Sequence, residues 1–142
     1  MSRVFVAAPR ERVLAYLSNP VNRPEWQASL RSVEVLDPGE PHVGQRWVDH
    51  VYAAPPFHLR TTRLEPGRVW AEEGTSGPFT ARATLLFEDE TRDGVAGTRV
   101  TCTATVTATG LARPLAMGAR VLAEVLVRND LKRAARILAV RG

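Results

Sequence analysis

Two stretches of the chain alternate between apolar and polar positions with a period of two. In residues 79–88 the apolar positions are Phe79, Ala81, Ala83, Leu85 and Phe87, interleaved with Thr80, Arg82, Thr84 and Glu88. In residues 100–108 they are Val100, Cys102, Ala104, Val106 and Ala108, with threonines between most of them. This period sends successive side chains to opposite faces of a sheet, so each stretch predicts a strand with one face in a core and the other in water. Asp93-Gly94 between them suits a tight hairpin turn. Upstream, residues 30–36, 45–53, 57–65 and 68–73 are β-prone runs punctuated by Pro38-Gly39, Ala54-Pro55-Pro56, Pro66-Gly67 and the Gly74 to Pro78 segment. They predict hairpins in succession.

The period lengthens near both ends. Residues 2–8 read as a short strand, followed by a helix over 9–19 with Pro9 at its first position and Val13, Leu14 and Leu17 on one face. A further helical turn is predicted over 22–26. Gly110 and Pro114 then mark the switch to a long helix, about 113–140, rich in Ala, Leu and Arg. From Leu131 onward its apolar stripe is Leu131, Ala134, Ala135 and Leu138, opposed by Arg133 and Arg136. Carried straight back at about 100° per residue, that stripe runs through Val127, Glu124, Arg120 and Met117, which would turn an i,i+4 ion pair toward the sheet. A helix rotated or bent near Arg128-Asn129 instead presents Leu115, Leu122 and Leu126 to the sheet and leaves Arg120 and Glu124 in water. Both registers bury enough apolar area.

A strand, short helices, about six antiparallel strands and one long helix make an α+β chain. Its simplest compact form is a curved antiparallel sheet wrapped around the C-terminal helix. The 142 residues suffice for one domain spanning 1–142. The longest stretch without a charge is only 13 residues, 100–112, so no membrane span or stable membrane insertion is expected. No signal segment is visible at the start, which predicts a cytoplasmic protein. Cys102 is the one cysteine, excluding an internal disulfide and a cysteine-rich zinc site. The net charge of +4 is unevenly spread: residues 1–112 sum to −1 and residues 113–142 to +5. The basic end carries no aromatic side chain to stack on a base, so it reads as a solvated helix face and no nucleic-acid partner is expected.

The three histidines, His42, His50 and His58, are evenly spaced. Pairing His50 with His58 across the Ala54-Pro55-Pro56 turn would put both on one face, whereas a slip that pairs His50 with Leu59 would split them. A zinc site needs at least a third ligand, for which only Asp49 or Glu72 is near in sequence. No metal is expected. Trp26, Trp47 and Trp70 are read as core, as is Cys102.

Several short motifs occur in a telling order: Ala8-Pro9 to Val13, Asn19-Pro20 to Glu25-Trp26, Val43-Gly44-Gln45-Arg46-Trp47, Leu64-Glu65-Pro66-Gly67-Arg68, Phe87, and Gly97-Thr98-Arg99-Val100. Together they resemble the polyketide cyclase/dehydrase branch of the START-like (SRPBCC) superfamily, whose fold is the helix-grip. The resemblance covers nearly the whole chain. It implies a cavity between sheet and long helix for a small hydrophobic molecule (lipid, polyketide or steroid-like) held by a carrier or sensor with no cofactor. It also leaves open a cyclase, aromatase or dehydratase, for which His50, Tyr52, Arg120 and Glu124 are the available acids, bases and donors. A co-chaperone-like interaction module, or a homodimer, is a further possibility, and an exposed apolar patch would be its sign. Small inward residues on both walls (Ala81, Ala83, Cys102, Ala104 and Ala108 on strands; Ala116, Gly118, Ala119 and Ala123 on the helix) are compatible with open space. The predicted pocket residues are His50, Tyr52, Phe57, Leu59, Phe79, Ala81, Ala83, Leu85, Cys102, Ala104, Val106, Leu111, Met117, Arg120 and Glu124.

Overall fold

A computed structural model describes residues 1–52 and 54–141; Ala53, the predicted end of the 45–53 strand, and Gly142 lie outside the described residues. Among the described residues, seven antiparallel strands form one sheet in the order β1-β7-β6-β5-β4-β3-β2. They are β1 (Ser2–Val6), β2 (Leu30–Val35), β3 (Arg46–Val51), β4 (Phe57–Glu65), β5 (Val69–Ser76), β6 (Phe79–Arg92) and β7 (Val95–Ala108). Between β1 and β2 lie α1 (Arg10–Ser18), a 3-10 turn (Pro20–Asn22) and α2 (Arg23–Trp26); after β7 come a 3-10 segment (Gly110–Leu115) and α3 (Ala116–Arg141). This is the helix-grip α+β fold.

The alternating stretches form the long central hairpin, and they run further than their apolar pattern. β6 and β7 pair without interruption from Phe79↔Ala108 to Arg92↔Val95. The two-residue turn has φ of +52° at Asp93 and +77° at Gly94, the left-handed pair that matches the twist of a hairpin. Beyond the apolar pattern, the ladder at the turn end is held by backbone pairing and by surface ion pairs such as Arg99 with Glu88.

β1 is short, yet its place is tightly specified. Val6 pairs with Thr98, and the Thr98 hydroxyl donates to the Ala8 carbonyl at 2.7 Å in a buried setting. A Cβ on Gly97 would lie 2.3 Å from the Val6 carbonyl oxygen and 2.7 Å from the Phe5 ring, so only glycine permits this approach. Pro9 sits one residue before the helix rather than inside it, extended at φ −63° and ψ 149°, and its carbonyl accepts from the Val13 N–H at 3.0 Å.

The core lies on the sheet face covered by the helices. Its buried centre includes Val4, Val13, Leu17, Trp47, Trp70, Phe87, Val100, Leu131 and Leu138. The stripe that α3 turns inward is Ala116, Ala119, Ala123, Val127, Asp130, Ala134 and Leu138, all at least partly buried. It continues straight along the helix and lies between the two registers read from the sequence, with an aspartate where the pattern shows polarity.

Candidate functional site

The two halves of α3 meet the sheet differently. In the C-terminal half Leu131, Ala134 and Leu138 are buried against the core. In the N-terminal half the inward residues are alanines, too short to reach the sheet, and a pocket of about 400 Å³ opens there. Phe57 of β4, Phe79 and Ala81 of β6, Val106 of β7 and Val51 and Tyr52 at the end of β3 form one wall; Ala119, Leu122, Ala123 and Leu126 form the other, with Ser29 and Ala54 at the margin. Nearly all of this surface is carbon.

Three loops meet beside this pocket. The Ser76 hydroxyl donates to the Pro55 carbonyl at 3.3 Å, and the Thr109 N–H donates to the Pro78 carbonyl at 3.1 Å. The β3–β4, β5–β6 and β7–α3 connections are therefore tied to one another beside the pocket.

Further along the same strands is a second, smaller cavity of about 70 Å³. Ala81 lines the outer pocket, and Ala83, the next inward residue of β6, lines the inner cavity with Leu85 and Cys102. The rest of this lining is mixed: Trp26, Trp70, Val127 and Leu131 stand beside Gln27, Glu72 and Asp130. Burial pushes the Cys102 thiol up to about 12, so it stays a neutral apolar filler.

Behind the inner cavity lies a buried charge cluster. Arg23 is 2% exposed. Its Nε and Nη2 donate to Asp49 at 3.0 and 2.7 Å, and its Nη1 donates to Glu72 at 2.9 Å. The guanidinium carbon also lies 5.0 Å from the centre of the Trp47 ring. A planar fork suits this task because it can serve two carboxylates and an aromatic face together. One guanidinium thus faces two carboxylates, with a third close by. Asp130 accepts from the Ala28 N–H at 3.2 Å and is buried on α3. Desolvation holds the Glu72 carboxyl above its usual range, opposed by Arg23 and reinforced by Asp49. Desolvation likewise raises Asp130.

The sequence-predicted residues divide clearly. Tyr52, Phe57, Phe79, Ala81 and Val106 line the outer pocket; Ala83, Leu85 and Cys102 line the inner cavity. Ala104 is buried opposite Ala83 in the sheet wall, and Leu59 is buried over Gly74, whose missing side chain makes room for it. The others lie elsewhere. His50 is corrected: β3 pairs Val48 with His58, so His50 and His58 share the outer face, and His50 lies 3.5 Å from Glu34. Pro55 and Pro56 have no N–H to extend the ladder, which therefore starts at Phe57 opposite Asp49, a register the sequence reading did not consider. Arg120 and Glu124 are also corrected; they pair at 3.7 Å on the solvent-facing flank of α3. Met117 is 78% and Leu111 99% exposed, so neither lines the pocket. Met117, Val121 and Val125, spaced four apart, make an exposed apolar strip along the outside of α3.

The residues missed are the charged ones inside. Asp49 and Glu72, considered as zinc ligands, face Arg23, and the nearest histidine points the opposite way. Among the described residues no three His, Cys, Asp or Glu side chains converge as metal ligands would. The signal for Glu72 was present: Trp70 is buried in β5, and a period of two from it passes through Glu72, Gly74 and Ser76. Asp130 stands four residues before Ala134 and eight before Leu138, on the buried stripe.

The family model described as polyketide cyclase/dehydrase and lipid transport matches residues 2–141. The chain belongs to this family. Solved structures similar to this family member include the Zhui aromatase/cyclase of Streptomyces sp. R1128, at 22% identity and TM-score 0.71 over 98% of this chain and 92% of that one. A protein of Thermus thermophilus aligns at 17% identity and TM-score 0.71, over 99% and 97% of the two chains. A protein of Deinococcus radiodurans aligns at 24% identity and TM-score 0.59, over 95% and 92%. At these identities the likeness is one of fold. No curated protein matches the sequence.

Proposed function

We propose that the protein binds a small hydrophobic molecule in the pocket between the sheet and the N-terminal half of α3, as a carrier or sensor. The observation that supports this most is the pocket of about 400 Å³ with its almost wholly apolar lining. Its volume falls in the range of small-molecule sites, and burying a ligand's apolar surface there is favourable by roughly 25 cal/mol per Å². A cyclase-type reaction is the second reading. It is supported by the family and by the carboxyls of Glu72 and Asp130, whose raised proton affinity suits general acid–base work.

Native mass spectrometry of the purified protein tests the first reading through any apolar compound that co-purifies. A direct test uses the neutral dye N-phenyl-1-naphthylamine. Enlarging Ala81 to Trp should weaken dye binding by tenfold or more and leave the urea midpoint close to wild type, because the added volume occupies open space. Dye binding unchanged by Ala81→Trp, or a several kcal/mol loss of stability, would overturn the pocket.

A further inference from the structure

The outward side of α3 changes chemistry halfway along the helix. In the first half Met117, Val121 and Val125 stand exposed in four-residue steps, with Leu122 beside them, and Leu111 and Leu115 are exposed in the 3-10 segment just before. The second half repeats the steps with Arg128, Lys132 and Arg136, all exposed. Each lies about three turns beyond Met117, Val121 and Val125 in order, so the six side chains leave the helix on one side. The acids of α3 are occupied elsewhere: Glu124 is held by Arg120 and the N-terminal amine, and Asp130 is buried. One side of one helix thus carries an uncovered apolar half and a basic half with no carboxylate of its own.

We propose that this side of α3, with the 3-10 segment before it, docks on the surface of a membrane rich in anionic lipid. The apolar half rests at the boundary between headgroups and acyl chains, and Arg128, Lys132 and Arg136 meet lipid phosphates beside it. An anionic bilayer offers in one plane both things this side lacks, an apolar layer and fixed negative charge. Neither signal is strong alone, since the strip is short and exposed cations are screened over about 10 Å at 0.1 M salt. A second copy of the chain fits less well, because it would bring more arginine to the face and no spare carboxylate. A nucleic acid would meet the charge and leave the apolar half in water. The contact is peripheral, with the helix lying on the surface; among the described residues no helix is long and apolar enough to cross a membrane. Leu122 belongs both to this surface and to the pocket wall, so docking sets that wall beside the lipid.

The test is sedimentation of the full chain with sucrose-loaded vesicles that hold no guest, at about pH 7.5. Binding to phosphatidylcholine vesicles with about 30% phosphatidylglycerol is expected to exceed binding to phosphatidylcholine alone by about tenfold or more at 0.1 M salt, and to fall about tenfold at 0.5 M. Val121→Glu puts a charge on the exposed strip and should weaken binding by about tenfold, with the urea midpoint near wild type. Arg128→Gln with Lys132→Gln should weaken it about as much, whereas Arg3→Gln with Arg31→Gln, the same charge removed from exposed positions of β1 and β2, should change it less than about threefold. Equal losses in the two charge-matched pairs would mean that net charge alone is at work and would overturn the docking face. Equal binding to both vesicles, binding to neither, or wild-type binding by Val121→Glu would overturn it too. A dimer in analytical ultracentrifugation that Val121→Glu dissociates would give the strip to a second copy instead. Should Val121→Glu not fold, Val121→Trp carries the same question: its emission should be quenched by doxyl-labelled lipid, and an unquenched tryptophan there refutes the contact. The pocket stands or falls separately, by the dye measurements.

Discussion

Arg23 shows how one side chain can organise an interior that apolar residues alone would leave plain. It is buried between Asp49 and Glu72 and lies over Trp47. Removing one partner from such a cluster leaves charges in low dielectric with nothing opposite them. Arg23→Met should therefore cost on the order of 3–5 kcal/mol by urea denaturation. Arg23→Lys should restore only a small part, because an ammonium cannot reach both carboxylates with a two-pronged geometry. A loss below about 1 kcal/mol for Arg23→Met would contradict the arrangement. Glu124 offers the contrast. It is partly exposed beside Arg120 on the flank of α3, and Glu124→Ala should stay within about 0.5 kcal/mol of wild type.

At the scale of elements, the β6–β7 hairpin and the long helix could be read from periodicity, since strict alternation and an Asp-Gly turn leave little choice of register. The first strand could be located but not weighed. The close approach of Val6 to Gly97 and the Thr98 hydroxyl bond hold it to β7, and neither is visible in a run of seven residues. Gly97→Ala should push β1 from β7 and lower the melting temperature strongly, whereas Gly94→Asn, in an open left-handed turn, should be nearly neutral. Similar losses for both variants would show that backbone contact at Gly97 is not what matters. The register of β3 was illegible because it depends on two prolines silencing the ladder. The inward face of α3 was illegible because Asp130 sits in an otherwise apolar stripe. Charged residues in the interior break the pattern that sequence reading relies on, and here two of them, Glu72 and Asp130, line the inner cavity.

For the whole molecule, the buried carboxyls set a pH dependence. Glu72 and Asp130 hold protons more tightly in the folded protein than in the unfolded chain. The folded state then binds more protons between the ordinary carboxylate range, about 4, and the raised folded values, so these groups make stability fall as pH rises through that window. Above it they are a constant liability. Asp130→Asn keeps an oxygen for the Ala28 N–H and removes the charge. It should raise the urea midpoint at pH 8, and the gain should shrink toward nothing near pH 4. A gain independent of pH would mean that the side chain's charge is not involved.

The bonds from Ser76 to Pro55 and from Thr109 to Pro78 link three connections in series beside the pocket. Loops that moved separately would admit a guest by many routes, each with its own rate. Loops fastened in a chain share one barrier, because displacing any of them strains the next. For a protein that carries the proposed guest, such a rim would act as a single latch, and the time the guest spends inside would be set by how often that latch lifts rather than by how firmly the walls grip.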